Sequence, residues 1–294
     1  MRRAAMRTVS YLTESNFPPQ LRHRRFPGRI LRNVRSRWHA ESELPLVRIV
    51  TLRHPALPPE FDGLRLVQVS DVHAGTYMPP SRLARVRELI EALAPDLVAF
   101  TGDQLDRRDV DADIFVHGFA GVDAPLGVYG VLGNHDHMAG AKLAIDALTA
   151  VGITPLVNRA ALLERGQARL LVAGVDDVDA PPGWGPQFGV LQSTPADFRL
   201  LLCHQPNGWL RGVEQGAEVT LSGHTHGGQI THPAGRLNLA RLATPYVVGP
   251  YLRDEAILFV SRGVGVSGLL PVRYGSPPEI DLITLRRGLV PAAA

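Results

Sequence analysis

Cysteine is almost absent from this 294-residue chain: Cys203 stands alone, so no intrachain disulfide forms and no thiolate cage can hold a metal. Any metal bound here must sit on imidazole and oxygen. Lysine is equally scarce, Lys142 being the one lysine among 31 basic residues. No apolar run approaches the ~20 residues that a membrane-spanning helix needs. The twin arginines Arg2 and Arg3 are followed by no apolar signal core, so neither a span nor a cleaved leader is expected. What remains is an ordinary globular composition, 45% hydrophobic and 20% charged, which excludes collagen-like, coiled-coil and wholly disordered chains. Twenty-nine Gly and 24 Pro point to many defined turns between short elements.

The positive charge is unevenly placed. The whole chain carries a formal +3, yet residues 1–40 hold ten arginines against one acid, Glu14, which leaves the rest acidic overall. The sequence pI of 9.3 therefore describes a leader and gives no reason to expect nucleic-acid binding by the body. Residues 1–45 lack periodicity and interleave Arg with Phe17, Phe26, Ile30, Leu31 and Trp38. They read as a flexible basic arm or as a segment resting on an anionic membrane surface; a misassigned start is a third reading. Residues 46–294 are expected to form one domain.

From Leu46 onward short apolar runs alternate with polar clusters. Strands are expected at Leu64–Val69, Asp96–Thr101, Val128–Leu132, Leu170–Val175, Arg199–Cys203, Glu218–Leu221, Ile257–Ser261 and, last, Pro278–Leu285. Ser81 is the expected N-cap of a helix whose Leu83, Val86, Leu89, Ile90 and Leu93 share one face, ending near Pro95; a second helix is expected over 140–150. Periodicity alone gives a layered α/β fold. In such folds ligands gather where loops leave the carboxyl ends of strands, and five of these ends carry Asp, Asn or His.

Those ends read, in chain order, Asp71-Val72-His73, Gly102-Asp103-Gln104, Gly133-Asn134-His135-Asp136, His204 and Gly223-His224-Thr225-His226. Each fragment alone is weak; five together are hard to explain as unrelated packing. Two carboxylates, one amide and four imidazoles (Asp71, Asp103, Asn134, His73, His204, His224, His226) exceed what one tetrahedral ion takes and suffice for two ions sharing a carboxylate. A pair ~3.5–4 Å apart can hold a hydroxide and clamp a phosphate ester during in-line displacement.

This order of motifs resembles the calcineurin-like metallophosphoesterases, whose signature runs D-x-H, G-D-x-x-D, G-N-H-D/E, H and G-H-x-H. The resemblance covers 64–229 directly and implies a four-layer α/β/β/α sandwich of two mixed sheets. It implies that Asp71, His73, Asp103 and His226 hold the first ion, with Asp103 bridging, and that Asn134, His204 and His224 complete the second. His135 would then protonate the leaving oxygen, with Asp136 holding its imidazolium. The metals expected are Mn, Fe or Zn, and no other cofactor is implied.

Around this set, Asp106 is expected to orient a ligand or brace its loop rather than touch metal. Gly227-Gly228 offers backbone N–H groups to an anion or serves only the turn, and Arg262 is a candidate phosphate contact. Cys203 is read as a small buried hydrophobe, and His54, His117, His137 and His232 are left outside the site. Asp106-Arg107-Arg108 and the Asp of G-N-H-D depart from the pattern of protein phosphatases, which argues against a phosphoprotein substrate. G-H-T-H-G-G-Q-I over 223–230, with Ser261-Arg262-Gly263-Val264-Gly265 and Pro277-Pro278-Glu279-Ile280, resembles the bacterial membrane-associated phosphodiesterase branch. Some of that branch resemble UDP-2,3-diacylglucosamine pyrophosphatases. The expected substrate is thus a phosphodiester or pyrophosphate of a lipid-linked or nucleotide molecule, in the cytoplasm or at the inner face of the plasma membrane. A metal-dependent nuclease is the alternative enzyme, and a noncatalytic metal-stabilised scaffold the alternative of another kind. No protein partner is expected.

Overall fold

The structure, a computed structural model, describes residues 45–231, 238–267 and 272–289. The readings placed on residues 1–44 and on His232 lie outside these residues. Two six-stranded sheets face each other. The first contains β1 (Leu46–His54), β2 (Arg65–Val69), β3 (Leu97–Thr101), β4 (Val128–Val131), β5 (Thr154–Pro155) and β12 (Glu279–Arg287), in the order β1-β12-β2-β3-β4-β5. The second contains β6 (Arg159–Arg165), β7 (Ala168–Gly174), β8 (Phe198–Leu202), β9 (Val219–Ser222), β10 (Gly249–Arg253) and β11 (Ala256–Val260), in the order β10-β11-β9-β8-β7-β6. Both are mixed: β2 to β5 run parallel with β12 antiparallel to β2, while β7, β8, β9 and β11 run parallel between antiparallel edges.

Alternation along each strand builds the layers. Leu66, Leu97 and Ala99 face inward and meet Leu170, Leu200, Val219 and Phe259 between the sheets, whereas Val67, Val98 and Phe100 face outward. Outward residues of the first sheet are covered by Leu83 and Ile90 of α1 (Pro80–Leu93), Phe115 and Phe119 of α2 (Asp111–Phe119) and Leu148 of α4 (Ala141–Ala150). The second sheet's outer face is covered more thinly, by Phe188 and Leu191 over Leu171 and Leu201, and by Trp209 of α5 (Trp209–Glu214) beside Leu258. The architecture is therefore the α/β/β/α sandwich. Because the central strands are buried on both faces they read as continuous apolar runs, which is why they were visible in the sequence.

One local expectation needs correcting, and beside the expected helix over 140–150, which is α4, the structure has one helix more. Helix α1 begins with Pro80 and has Pro79 as N-cap, placing Ser81 inside its first turn. A proline there loses nothing, since the first N–H groups of a helix have no intrahelical partner. The stretch after β4 is two helices: α3 (Asn134–Ala139) precedes α4, with Gly140 at φ 122° between them. The final strand β12 lies inside the first sheet, parallel to β1 from Leu46↔Glu279 onward and antiparallel to β2. The start of β1 consequently lies at the same end as the carboxyl termini of β2, β3 and β4.

Candidate metal centre

At that end the five motif-bearing loops converge. Asp71, His73, Asp103, His135, Asp136, His204 and His226 are buried there, with Asn134 and His224 partly so. Five of these residues have left-handed backbones: Asp71 (φ 51°), His73 (46°), Asp103 (55°), His224 (69°) and His226 (51°). Such conformations are costly without glycine and persist where neighbouring bonds over-determine them. Here the loops brace one another: Asp71 N–H donates to Gly102 O (3.0 Å), His73 N–H to Asp103 O (2.9 Å) and Gly265 N–H to Asp71 O (2.8 Å). Two motif glycines exist for close approach. A Cβ on Gly133 would lie 2.2 Å from Asp103 Oδ1, and one on Gly223 would lie 1.9 Å from Ser70 Oγ. Gly133→Ala is accordingly expected to cost about 1–3 kcal/mol of stability as the loop shifts. An unchanged Tm in differential scanning calorimetry would contradict that close fit.

Among the described residues the side chains form three groups whose ligand-type atoms lie within 4.8 Å of one another: Asp71, His73 and His226; Asp103, His204 and His224; and, sharing His73, a third of His73, Asp106 and His135. His73 Nε2 is 3.1 Å from His226 Nε2, and His226 Nε2 is 3.4 Å from Asp71 Oδ1. In the second group His204 Nε2 is 3.3 Å from His224 Nδ1. Asp103, a member of the second group, also faces the first: its Oδ2 is 3.6 Å from His73 Nε2 and 3.3 Å from His204 Nε2. Asn134 opens α3; its Oδ1 is buried and has no hydrogen-bond partner. Unprotonated nitrogens cannot face one another at such distances without a proton or a cation between them, and a buried amide oxygen without a donor is costly. The donor set of imidazole, carboxylate and amide oxygen is what Mn, Fe or Zn accept.

Burial alone would raise the Asp103 carboxyl, but the imidazoles of His204, His73 and His135 hold it well below the ordinary range. His204 is the reciprocal case: burial would lower it, yet Asp103 and Asp71 raise it well above the usual imidazole value. Burial, with His204 beside it, lowers His224 to about 4, and burial with Arg273 holds His226 well below the ordinary imidazole value. Neutral imidazoles are the ligand form.

His135 stands beside the first group, its ring 4.5 Å from that of His73. The expected Asp136–His135 contact is absent. Asp136 is the third residue of α3, and its carboxylate accepts from the N–H groups of Gly133 (2.9 Å) and Leu105 (2.9 Å), capping the helix. Asp106 takes its place: its carbonyl O is 2.7 Å and its Oδ1 3.5 Å from His135 Nδ1, and Oδ1 is 3.5 Å from His73 Nδ1. Against burial, these contacts raise His135 above the ordinary imidazole value.

Other expectations divide. Arg262 is an ion-pair partner of Glu279, which also accepts its backbone N–H (3.0 Å). Gly228 N–H donates to Thr225 O (2.7 Å) and Gly227 N–H to Thr225 Oγ1 (3.4 Å), so these glycines serve the turn. Cys203 is buried and its thiol is pushed up to about 12, chiefly by desolvation. His54 accepts from Ala56 N–H, and His117 lies on α2; neither joins the site. His137 Nε2 is 2.7 Å from Asp176 Oδ1. One residue was not anticipated: Arg273, fully buried, donates to His226 Nδ1 (3.0 Å) and to the carbonyls of Gly265 (2.7 Å) and Arg262 (2.8 Å). No local pattern marks it, because only the chain's return past the site brings it behind His226.

Below the loops Gln68 ties the sheets together, donating to Thr101 Oγ1 (3.0 Å) and Ser222 O (2.9 Å). Beside it in register, Asp281 is fully buried, and desolvation with Glu279 nearby pushes its carboxyl well above the usual range. A folded pKa above the unfolded one favours folding at acid pH, and that advantage is lost as pH rises toward the folded value. Asp281→Asn should therefore exceed the wild type in stability at pH 8 by about 1–3 kcal/mol. The gap should close near pH 4 in chemical denaturation; a gap independent of pH would contradict the assignment.

A family model, calcineurin-like phosphoesterase, matches residues 64–228, more than half of the chain. Metallophosphoesterase YkuE of Bacillus subtilis is 32% identical over 80% of this chain and 84% of its own length. A transmembrane protein with metallophosphoesterase domain from Danio rerio is 31% identical over 83% of this chain and 58% of its own. UDP-2,3-diacylglucosamine pyrophosphatase LpxG of Chlamydia trachomatis is 26% identical over 84% of this chain and 91% of its own.

Proposed function

The chain belongs to the calcineurin-like phosphoesterase family of metal-dependent phosphoesterases, and we propose that it hydrolyses a phosphodiester or pyrophosphate in a lipid-linked or nucleotide substrate. The observation that carries this reading is Asp103 Oδ2, which faces both His73 and His204, with His135 alongside. Asp71, His73, Asp103 and His226 would hold one divalent ion, and Asn134, His204 and His224, with Asp103 shared, a second, with Mn, Fe or Zn as candidates. Bound there, such ions supply Lewis acidity to the phosphoryl oxygens and activate water for in-line attack. The chain's own residues do the rest. His135, whose protonated form Asp106 favours, would donate a proton to the departing oxygen, and the braced left-handed loops hold the donors in place before substrate arrives.

The pyrophosphate reading is supported by the LpxG relative, whose name gives that activity. We place the protein in the cytoplasm or at the inner face of the plasma membrane, with an anionic surface met by residues 1–45. Among the described residues no helix is long and apolar enough to cross a membrane. Ten arginines in residues 1–40 precede β1, whose start lies at the site end of the sheets. After manganese reconstitution, bis(p-nitrophenyl) phosphate and UDP-diacylglucosamine should be turned over and phosphomonoesters poorly. Rapid monoester hydrolysis with both others inert would overturn the reading.

A further inference from the structure

A cavity of about 540 Å³ opens beside the metal-binding end and is used by nothing described above. Trp184, Arg211, Asn158, Asp176, Pro186 and Gln187 line it. Its position is fixed from two sides. Asp176 is bonded to His137, on the same helix as Asn134 and His135, and Arg211 belongs to α5, which follows the His204 loop. The next residue, Asp177, accepts from Gln205 Nε2 (2.9 Å), the neighbour of His204. The cavity thus flanks the Asn134–His204–His224 half of the centre.

Its wall is rigid. Asn158 Oδ1 accepts from Asp176 N–H (3.1 Å) and Gln187 N–H (2.8 Å), Asn158 Nδ2 donates to Gly185 O (2.9 Å), and Gly185 N–H donates to Asp176 Oδ2 (2.9 Å). Trp184 N–H closes a turn onto Pro181 O (3.0 Å). On this pinned loop the indole is 45% exposed, its ring 5.3 Å from that of His137 in edge-to-face geometry. A large aromatic surface held in water by a rigid loop loses little entropy when a planar partner covers it.

The polar groups left over are informative. The wall's amide and carboxylate, Asn158 and Asp176, are already committed. The Arg211 guanidinium carbon lies over Phe188, 4.6 Å from the ring centroid, and the group makes no hydrogen bond or ion pair among the described residues. The Gln187 side-chain amide likewise has no partner among them. A stacking face, a planar fork of N–H donors and an amide that both donates and accepts match a nucleobase, with its π-face, carbonyls and ring N–H.

We propose that this cavity is a nucleobase subsite, with Trp184 as the stacking platform and Arg211 and Gln187 reading the base edge, so that the phosphorus handled at the centre belongs to a nucleotide. This rests on the phosphodiester reading above and narrows it to nucleotidyl esters.

Two chromogenic substrates test it: thymidine 5′-(p-nitrophenyl phosphate) and methyl p-nitrophenyl phosphate. In each, water adds to phosphorus and the P–O bond to p-nitrophenolate breaks, so they differ only in the nucleoside. The manganese-loaded wild type should prefer the thymidine ester at least tenfold in kcat/KM, through KM. Trp184→Ala should reduce that preference to near unity, Arg211→Ala should reduce it in part, and Trp184→Phe should retain most of it. A preference near unity in the wild type, or one unaltered in Trp184→Ala, overturns the subsite. If neither ester is turned over the phosphodiester reading fails, and fluorescence decides the subsite independently. Thymidine monophosphate should quench wild-type emission saturably and leave that of Trp184→Ala unchanged; equal responses would overturn it.

Discussion

Asp103→Asn is expected to lower kcat/KM by about 10³-fold or more and to reduce bound metal below one equivalent per ion site. The reason lies in its two oxygens. Oδ2 stands within 3.6 Å of His73 Nε2 and 3.3 Å of His204 Nε2, while Oδ1 accepts the His135 backbone N–H at 2.9 Å. An asparagine keeps an acceptor for the backbone bond, so the loop should fold, but replaces the other oxygen with an NH₂ that repels cations. It also removes the anion that the surrounding imidazoles hold ionised, and with it the partner that raises His204. Elemental analysis beside steady-state kinetics checks this. Full metal content with activity within tenfold of the wild type would show that Asp103 is not shared.

His135→Ala should behave differently, losing about 10²- to 10⁴-fold in kcat while metal content stays near that of the wild type. As an acid, His135 should matter most for leaving groups that need a proton. The loss should be large for an alkyl leaving group and small for p-nitrophenolate, which departs without one. The sign of the pH effect follows from Asp106. The competent form is protonated, and contact with Asp106 raises its pKa, so activity should fall on the alkaline side as pH rises through that raised value. Asp106→Asn should move this limb toward lower pH. A limb that stays in place, with equal losses for both leaving groups, would assign His135 a purely structural part.

Much of this was legible in the sequence because it is local. Strands buried on both faces appear as apolar runs, and a site at strand ends appears as Asp, Asn and His directly after those runs. The glycines of Gly133-Asn134-His135 and Gly223-His224 could be quoted but not explained until the approach of Asp103 and Ser70 was visible. Adjacency misled in one place. Asp136 follows His135, but consecutive residues of a helix point roughly 100° apart, so the carboxylate turns back to cap α3 and leaves the imidazole to Asp106. Arg273 and the cavity around Trp184 arise from segments distant along the chain and leave no periodic trace. The same holds for β12, whose place between β1 and β2 is set by packing.

The number of ions carried by one chain tests the central claim most directly. Protein stripped by chelator, reconstituted with manganese and desalted should hold two ions per chain by elemental analysis, and anomalous diffraction should place one at Asp71, His73 and His226 and one at Asn134, His204 and His224. One ion, or two ions lying away from Asp103, would contradict the shared centre from which the proposed hydrolysis follows.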